Sequence, residues 1–182
     1  MDHGGFWHGT TLYDEQIRVP LLLKLPRAER GGSVVRHWVE SVDVLPTLLT
    51  RNGIALPKGV QGKDLFEAGS SVYAEEDHEG NKLRALRLRR GQSELKLIEA
   101  NPGNPRGLQP YEMFRMDQDE GELVNLARDD AETLGVAVTN LEQRARQSGV
   151  GAAARQQLNV SADPAAMQKL RALGYAGGED PK

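Results

Sequence analysis

A chain of 182 residues, 38% hydrophobic and 27% charged, is long enough to bury a core and has the composition of an ordinary folded domain or of part of one. Its 23 Lys and Arg stand against 26 Asp and Glu, a net charge of −3, so no surplus of positive charge points to nucleic acid or to an anionic membrane surface as partner. The absence of cysteine excludes disulfides, thiolate zinc sites, iron–sulfur clusters and thiol nucleophiles together. The apolar run at 19–23 is interrupted by Pro20 and followed by Lys24, far short of the ~20 residues of a membrane-spanning helix.

In chain order, the densest chemistry comes first, in Asp2-His3-Gly4-Gly5-Phe6-Trp7-His8-Gly9 and the Thr10 to Glu15 stretch that follows. No basic and apolar leader follows Met1, so this stretch does not read as an export signal and the compartment stays open. Two imidazoles and a carboxylate beside glycines suit binding a divalent cation, holding an anion or moving protons near neutral pH. The same composition also suits a terminal loop satisfied by hydrogen bonds alone. Residues 19–25, closed by prolines, suit a strand buried on both faces of a mostly parallel sheet. Residues 41–53 follow as a helix, with Ser41 or Asp43 as N-cap, Pro46 in the first turn and Asn52-Gly53 as the stop.

The Gly-rich stretch 53–71 is a surface connection, with a boundary near residue 68. Beyond it, residues 86–98 alternate apolar and polar about a turn at 90–93, a hairpin whose Leu86, Leu88, Leu95 and Leu97 share a face. Residues 111–116 add a third antiparallel strand and 71–74 a fourth. Leu134, Val138, Leu141 and Ala145 stand at helical spacing within 130–147, and Asp163-Pro164 opens a last helix that Gly174 ends. The Gly/Ala/Arg/Gln-rich residues 148–158 between them read as a mobile tether. Three segments result: 1–68, 69–128 and a helical tail, 129–182.

The run His3 to Leu21, with its Leu12-Tyr13-Asp14-Glu15 block, closely resembles a stretch of the sulfatases, in the alkaline phosphatase superfamily. Val42 to Leu49 with Gly53, and then Gly59 to Leu65, resemble that family's next helix and Gly-rich loop. Glu94 to Ile98, Glu112-Met113-Phe114 and Glu122 to Leu126 resemble the strands and acidic turn of its C-terminal subdomain, and Leu170 to Tyr175 its tail. Five blocks in the right order cover most of residues 3 to 175.

The resemblance implies an α/β fold: part of an alkaline-phosphatase-like sandwich, contributing its C-terminal strand and helix, followed by a small antiparallel subdomain with helices. It also implies sulfate-ester hydrolysis by a formylglycine, made from Cys or Ser in Cys/Ser-x-Pro-x-Arg, with a calcium ion and basic side chains holding the charge. No such motif occurs in these 182 residues, so the chain reads as the C-terminal portion of a sulfatase without its nucleophile-bearing N-terminal half. A strand at 19–25 lacking that half is expected to leave apolar surface uncovered. Members of the family are often exported.

Among the matching residues, His8 falls where the family places a Lys or His that contacts the sulfate and helps the leaving oxygen. Asp2-His3-Gly4 resembles the family's Asp-His-Gly metal loop, with Asp2 and His3 as ligands. In the other register, His3-Gly4-Gly5 matches a second His-Gly, and His3 is a substrate-cleft residue. Tyr13, Asp14, Glu15 and Arg18 read as residues that fix the loop. Phe6 and Trp7 read either as cleft lining or as packing. Lys82, Arg84, Arg87, Arg89 and Arg90 read either as steering an anionic substrate or as the solvated side of a strand. Asp117, Asp119, Glu120 and Glu122 lack the spacing of a calcium hand and read as an acidic turn. Two other functions stay open: a sister hydrolase or transferase acting on phosphate or phosphonate esters, and a stand-alone binding module without catalysis.

Overall fold

The computed structural model describes His3, residues 9–148 and Gln168. The chain divides into two compact units, residues 1–148 and 149–182, and the fold below is that of the first. The expected tether and last helix lie outside the described residues, apart from Ser148 and Gln168.

Residues 71–115, in which apolar and polar residues alternate over parts of each strand, form a four-stranded antiparallel meander, β1 (Ser71–His78), β2 (Asn81–Arg90), β3 (Ser93–Ala100) and β4 (Tyr111–Arg115), in that spatial order. The β1–β2 turn places both Glu79 and Gly80 at positive φ, the backbone twist that a two-residue hairpin needs. The β2–β3 turn uses Gly91 in the same region. Leu86 pairs with Leu97 and Leu88 with Leu95, so the four leucines share one face as their spacing requires, and Met113 joins them from β4.

Helix α3 (Ala131–Gln147) covers that face with Leu134, Ala137, Val138 and Leu141, and its N-cap Asp130 accepts the Thr133 N–H at 3.0 Å. The opposite face, with Leu83, Ala85, Ile98, Ala100, Phe114 and Met116, is covered by Leu12 and Tyr13 of the N-terminal segment. That segment ends in a single helical turn, α1 (Asp14–Ile17), which the residue pattern did not announce. Both faces of the sheet are therefore covered, and charged residues of its strands are drawn inside.

The helix expected at 41–53 forms as a 3-10 turn, Ser41–Asp43, running into α2 (Val44–Arg51). Its buried side is polar. Asp43 accepts the N–H groups of Glu40 and Lys63, both at 2.9 Å, while the Thr47 hydroxyl donates to the Asp43 carbonyl at 2.6 Å and accepts the Leu65 N–H at 2.7 Å. Ser41 is not the cap. These bonds bring the Gly-rich loop so close that a Cβ on Gly62, at φ +85°, would stand 2.4 Å from the Val42 carbonyl oxygen. The outward side carries Leu45 and Leu48, both exposed.

Residues 19–25 form no strand, because no described strand lies beside them to complete a ladder. Val19 is 73% and Leu22 92% exposed, and only Leu25 of this run is buried, so the expected uncovered apolar surface is present.

Gly62→Ala is expected to lower unfolding free energy by about 3 kcal/mol in urea titration, through left-handed backbone strain and the carbonyl clash. The two hydrogen bonds from Thr133 hold Asp130 below the usual carboxylate range. Its folded-state value is thus depressed, and its contribution is present above the unfolded value and lost as pH falls through the folded one. Thermal melts of Asp130→Ala should accordingly show a lower midpoint than the parent at pH 7 and convergence with it at acid pH.

Candidate functional site

The N-terminal segment is tied to the sheet by charge. Lys96 sits on the β3 face that carries Ile98, opposite the leucine face, with its side chain 1% exposed. Its ammonium lies 2.7 Å from Asp14 Oδ1 and 2.6 Å from Glu122 Oε1. Asp14 Oδ2 accepts from Arg87 Nη1 at 2.8 Å, and Arg87 Nη2 donates to Glu94 at 2.9 Å. Trp38 lies against the guanidinium groups of both Arg87 and Arg89. Glu122 Oε2 accepts the Asp14 N–H at 2.6 Å. Burial raises the Glu122 carboxyl above its usual range, and Lys96 opposes that shift.

His3 stands at the edge of this cluster. Its ring stacks on Tyr13 at 3.6 Å between centroids, and Nε2 is 3.0 Å from the Glu122 carbonyl. A carbonyl oxygen only accepts, so Nε2 carries a proton and donates. Nδ1 faces a Glu15 carboxylate oxygen at 3.5 Å. The Tyr13 hydroxyl donates to Glu112, and burial, followed by that hydrogen bond, raises its pKa well beyond the ordinary phenol value. Tyr13 is therefore a neutral donor and stacking platform.

Tyr13, Asp14, Glu15 and Arg18 do fix the loop, Arg18 through Glu120 at 2.9 Å. The basic stretch is not a bare cationic face: Lys82, Arg89 and Arg90 are solvated, Arg84 and Arg87 are partly buried, and all five meet acidic partners. Lys82 pairs with Asp77, Arg84 with Glu99, Arg87 with Asp14 and Glu94, Arg89 with Glu94, and Arg90 with Glu132. Alternation sends these side chains to both faces, where acidic partners wait. In the acidic turn, Asp119 accepts the N–H groups of Leu123 and Val124, while Glu122 turns inward to Lys96.

Of the sequence-derived site residues, the structure thus describes His3; Asp2 and His8 lie outside the described residues, as do Phe6 and Trp7. Among the described residues no three His, Asp or Glu side chains converge as a metal site. The Asp14 and Glu122 carboxylates do not fit a divalent cation, because the Lys96 ammonium already lies between them. A shallow cavity of about 200 Å³ opens between α3 and the leucine face, lined by Ser70, Asn140, Gln143 and Arg144, across the sheet from the covered Tyr13 face. Among the described residues no helix is long and apolar enough to cross a membrane. Sequence reading passed over Lys96. Its one available signal was a cation at a strand position on the same side as Ile98.

Residues 2–82 match the family model described as N-sulphoglucosamine sulphohydrolase, C-terminal. The chain is 38% identical over 68 residues to the ulvan-active sulfatase of Formosa agariphila, an alignment spanning 37% of this chain and 13% of that protein. It is 34% identical over 64 residues to the N-acetylglucosamine-6-O-sulfatase of Bacteroides thetaiotaomicron, covering 35% of this chain and 11% of that one. Arylsulfatase K of Homo sapiens is 33% identical over 76 residues, covering 42% and 14%. The chain thus spans about one seventh or less of the curated relatives it matches. Among solved structures, BT4656 in complex with D-glucosamine-2-N,6-O-disulfate superposes with a TM-score of 0.50 at 20% identity, over 60% of this chain and 24% of that one, a likeness of fold.

Tyr13→Phe keeps the stacking surface and leaves Glu112 Oε2 without its donor, while Oε1 keeps the Gln109 N–H. Chemical denaturation should register a loss of about 1–2 kcal/mol.

Proposed function

We propose that the chain is the C-terminal portion of a sulfatase and serves as the C-terminal part of a hydrolase cleaving sulfate esters, whose nucleophile belongs to an N-terminal half outside these 182 residues. The match of residues 2–82 to the sulfatase C-terminal family, in a chain with no Cys and no Ser-x-Pro-x-Arg, carries this reading. The names of the relatives and the sulfated ligand of BT4656 support a sulfate ester as the substrate class.

The uncovered apolar residues support it physically. Val19, Leu21, Leu22, Leu45 and Leu48 are all exposed, and the N-terminal half of the enzyme would cover them. The formylglycine and the calcium ion belong to that half in this reading. What this chain contributes is His8, whose imidazole grips the sulfate and assists the departing oxygen, with His3 in the cleft wall. An imidazole suits the role because it donates a hydrogen bond to an anion and exchanges a proton near neutral pH.

The genomic sequence upstream of the Met1 codon and an activity assay test the proposal together. An in-frame Cys/Ser-x-Pro-x-Arg motif is expected, and the joined protein should hydrolyse an aryl sulfate, with His8→Ala lowering kcat/KM about 100-fold. The 182-residue chain alone with added calcium should show no turnover. Turnover by the chain alone, or an upstream region without the motif, would overturn the proposal. Preference of the joined protein for an aryl phosphate would overturn its sulfate part.

A further inference from the structure

We propose that Lys96 is a positioning residue that holds His3 in one ring orientation and one tautomer, acting through Glu122. What that control serves rests on the anion-gripping loop proposed above, whereas the contact itself stands on geometry. Lys96 spans 2.7 Å to Asp14 and 2.6 Å to Glu122, and so joins β3 to the N-terminal segment and to the turn after β4. Glu122 is a non-glycine residue at φ +55°, the left-handed region that side chains seldom adopt. Two contacts of its carboxylate keep it there, the Lys96 ammonium and the Asp14 N–H. In that conformation its own carbonyl reaches His3 Nε2 at 3.0 Å.

Packing alone does not ask for a charge at this place. Leu12, Ile98 and Phe114 belong to the core on the same face, so an apolar side chain would find ready contacts there. A buried ammonium and two carboxylates carry a desolvation cost that an apolar residue would not, and they contribute directionality in return. Without the ammonium, Asp14 and Glu122 face each other as buried carboxylates, the turn loses the contact that holds its left-handed residue, and the carbonyl leaves the imidazole. His3 then keeps only its stacking on Tyr13 and its approach to Glu15.

Imidazole nitrogen spectra of the 182-residue chain at pH 8 test this without any catalytic readout. The parent is expected to show His3 as a single tautomer protonated at Nε2, with a protected Nε2–H. Lys96→Met should give mixed tautomers and exchange of that proton faster by about tenfold, the factor of an ordinary lost hydrogen bond, with the backbone amide pattern of the sheet retained. Lys96→Arg should restore the parent signature. Glu122→Gln, which keeps the backbone carbonyl and removes the charge that Lys96 holds, should loosen His3 in the same way and serves where Lys96→Met fails to fold. A single protected tautomer persisting in a folded Lys96→Met or Glu122→Gln chain would overturn the proposal. Loss of the sulfatase reading would leave these spectra unchanged, and failure of the spectra would leave the assay of the joined protein unchanged.

Discussion

A lysine ammonium enclosed between two carboxylates under an antiparallel sheet connects the parts of this protein that matter to its chemistry. Lys96 bonds to Asp14 from the N-terminal segment and to Glu122 from the turn after β4, and Arg87 extends the cluster to Glu94. Removing Lys96 would leave the buried Glu122 carboxylate without its cation, which is costlier than the pair is worth. The arrangement therefore acts chiefly as a constraint on geometry. It decides where the N-terminal segment crosses the sheet and which side of Glu122 meets His3.

The meander has α3 on its leucine face and the segment with Leu12 and Tyr13 on the other, so that segment is docked on a rigid surface, with His3 stacked on Tyr13. The residues that follow, 19–56, behave differently. There the polar groups of Asp43 and Thr47 point inward to pin the Gly-rich loop, while Leu45, Leu48, Ile54 and Leu56 are left to solvent. A helix that buries threonine and exposes leucine is built for a neighbour, in keeping with relatives many times longer than this chain.

Electrostatics separates the two regions as well. The cations of β2 each meet an acidic partner, on strands or on α3, and none is left to attract substrate from a distance.

Periodicity alone was enough to place the meander and α3, since alternation of Leu86, Leu88, Leu95 and Leu97 and the helical spacing of Leu134, Val138 and Leu141 are properties of single segments. The order of motif blocks was enough to point to the family whose C-terminal model matches residues 2–82. Sequence also assigned Tyr13, Asp14 and Arg18 a structural part, because acidic, aromatic and basic groups in a short loop commonly pair. Other features depended on partners distant in the chain. Residues 19–25 have a strand's composition and make no ladder, since a ladder needs a second strand. Asp43 does stand at the N-cap of α2, but its side chain bonds the N–H groups of Glu40 and Lys63, the latter twenty residues away in sequence and unannounced in pattern. Lys96 and Glu122 looked like one cation on a strand and one acid in a turn. Only the tertiary structure, by covering both faces of the sheet and drawing those strand positions out of water, made them a buried pair with His3 at its edge.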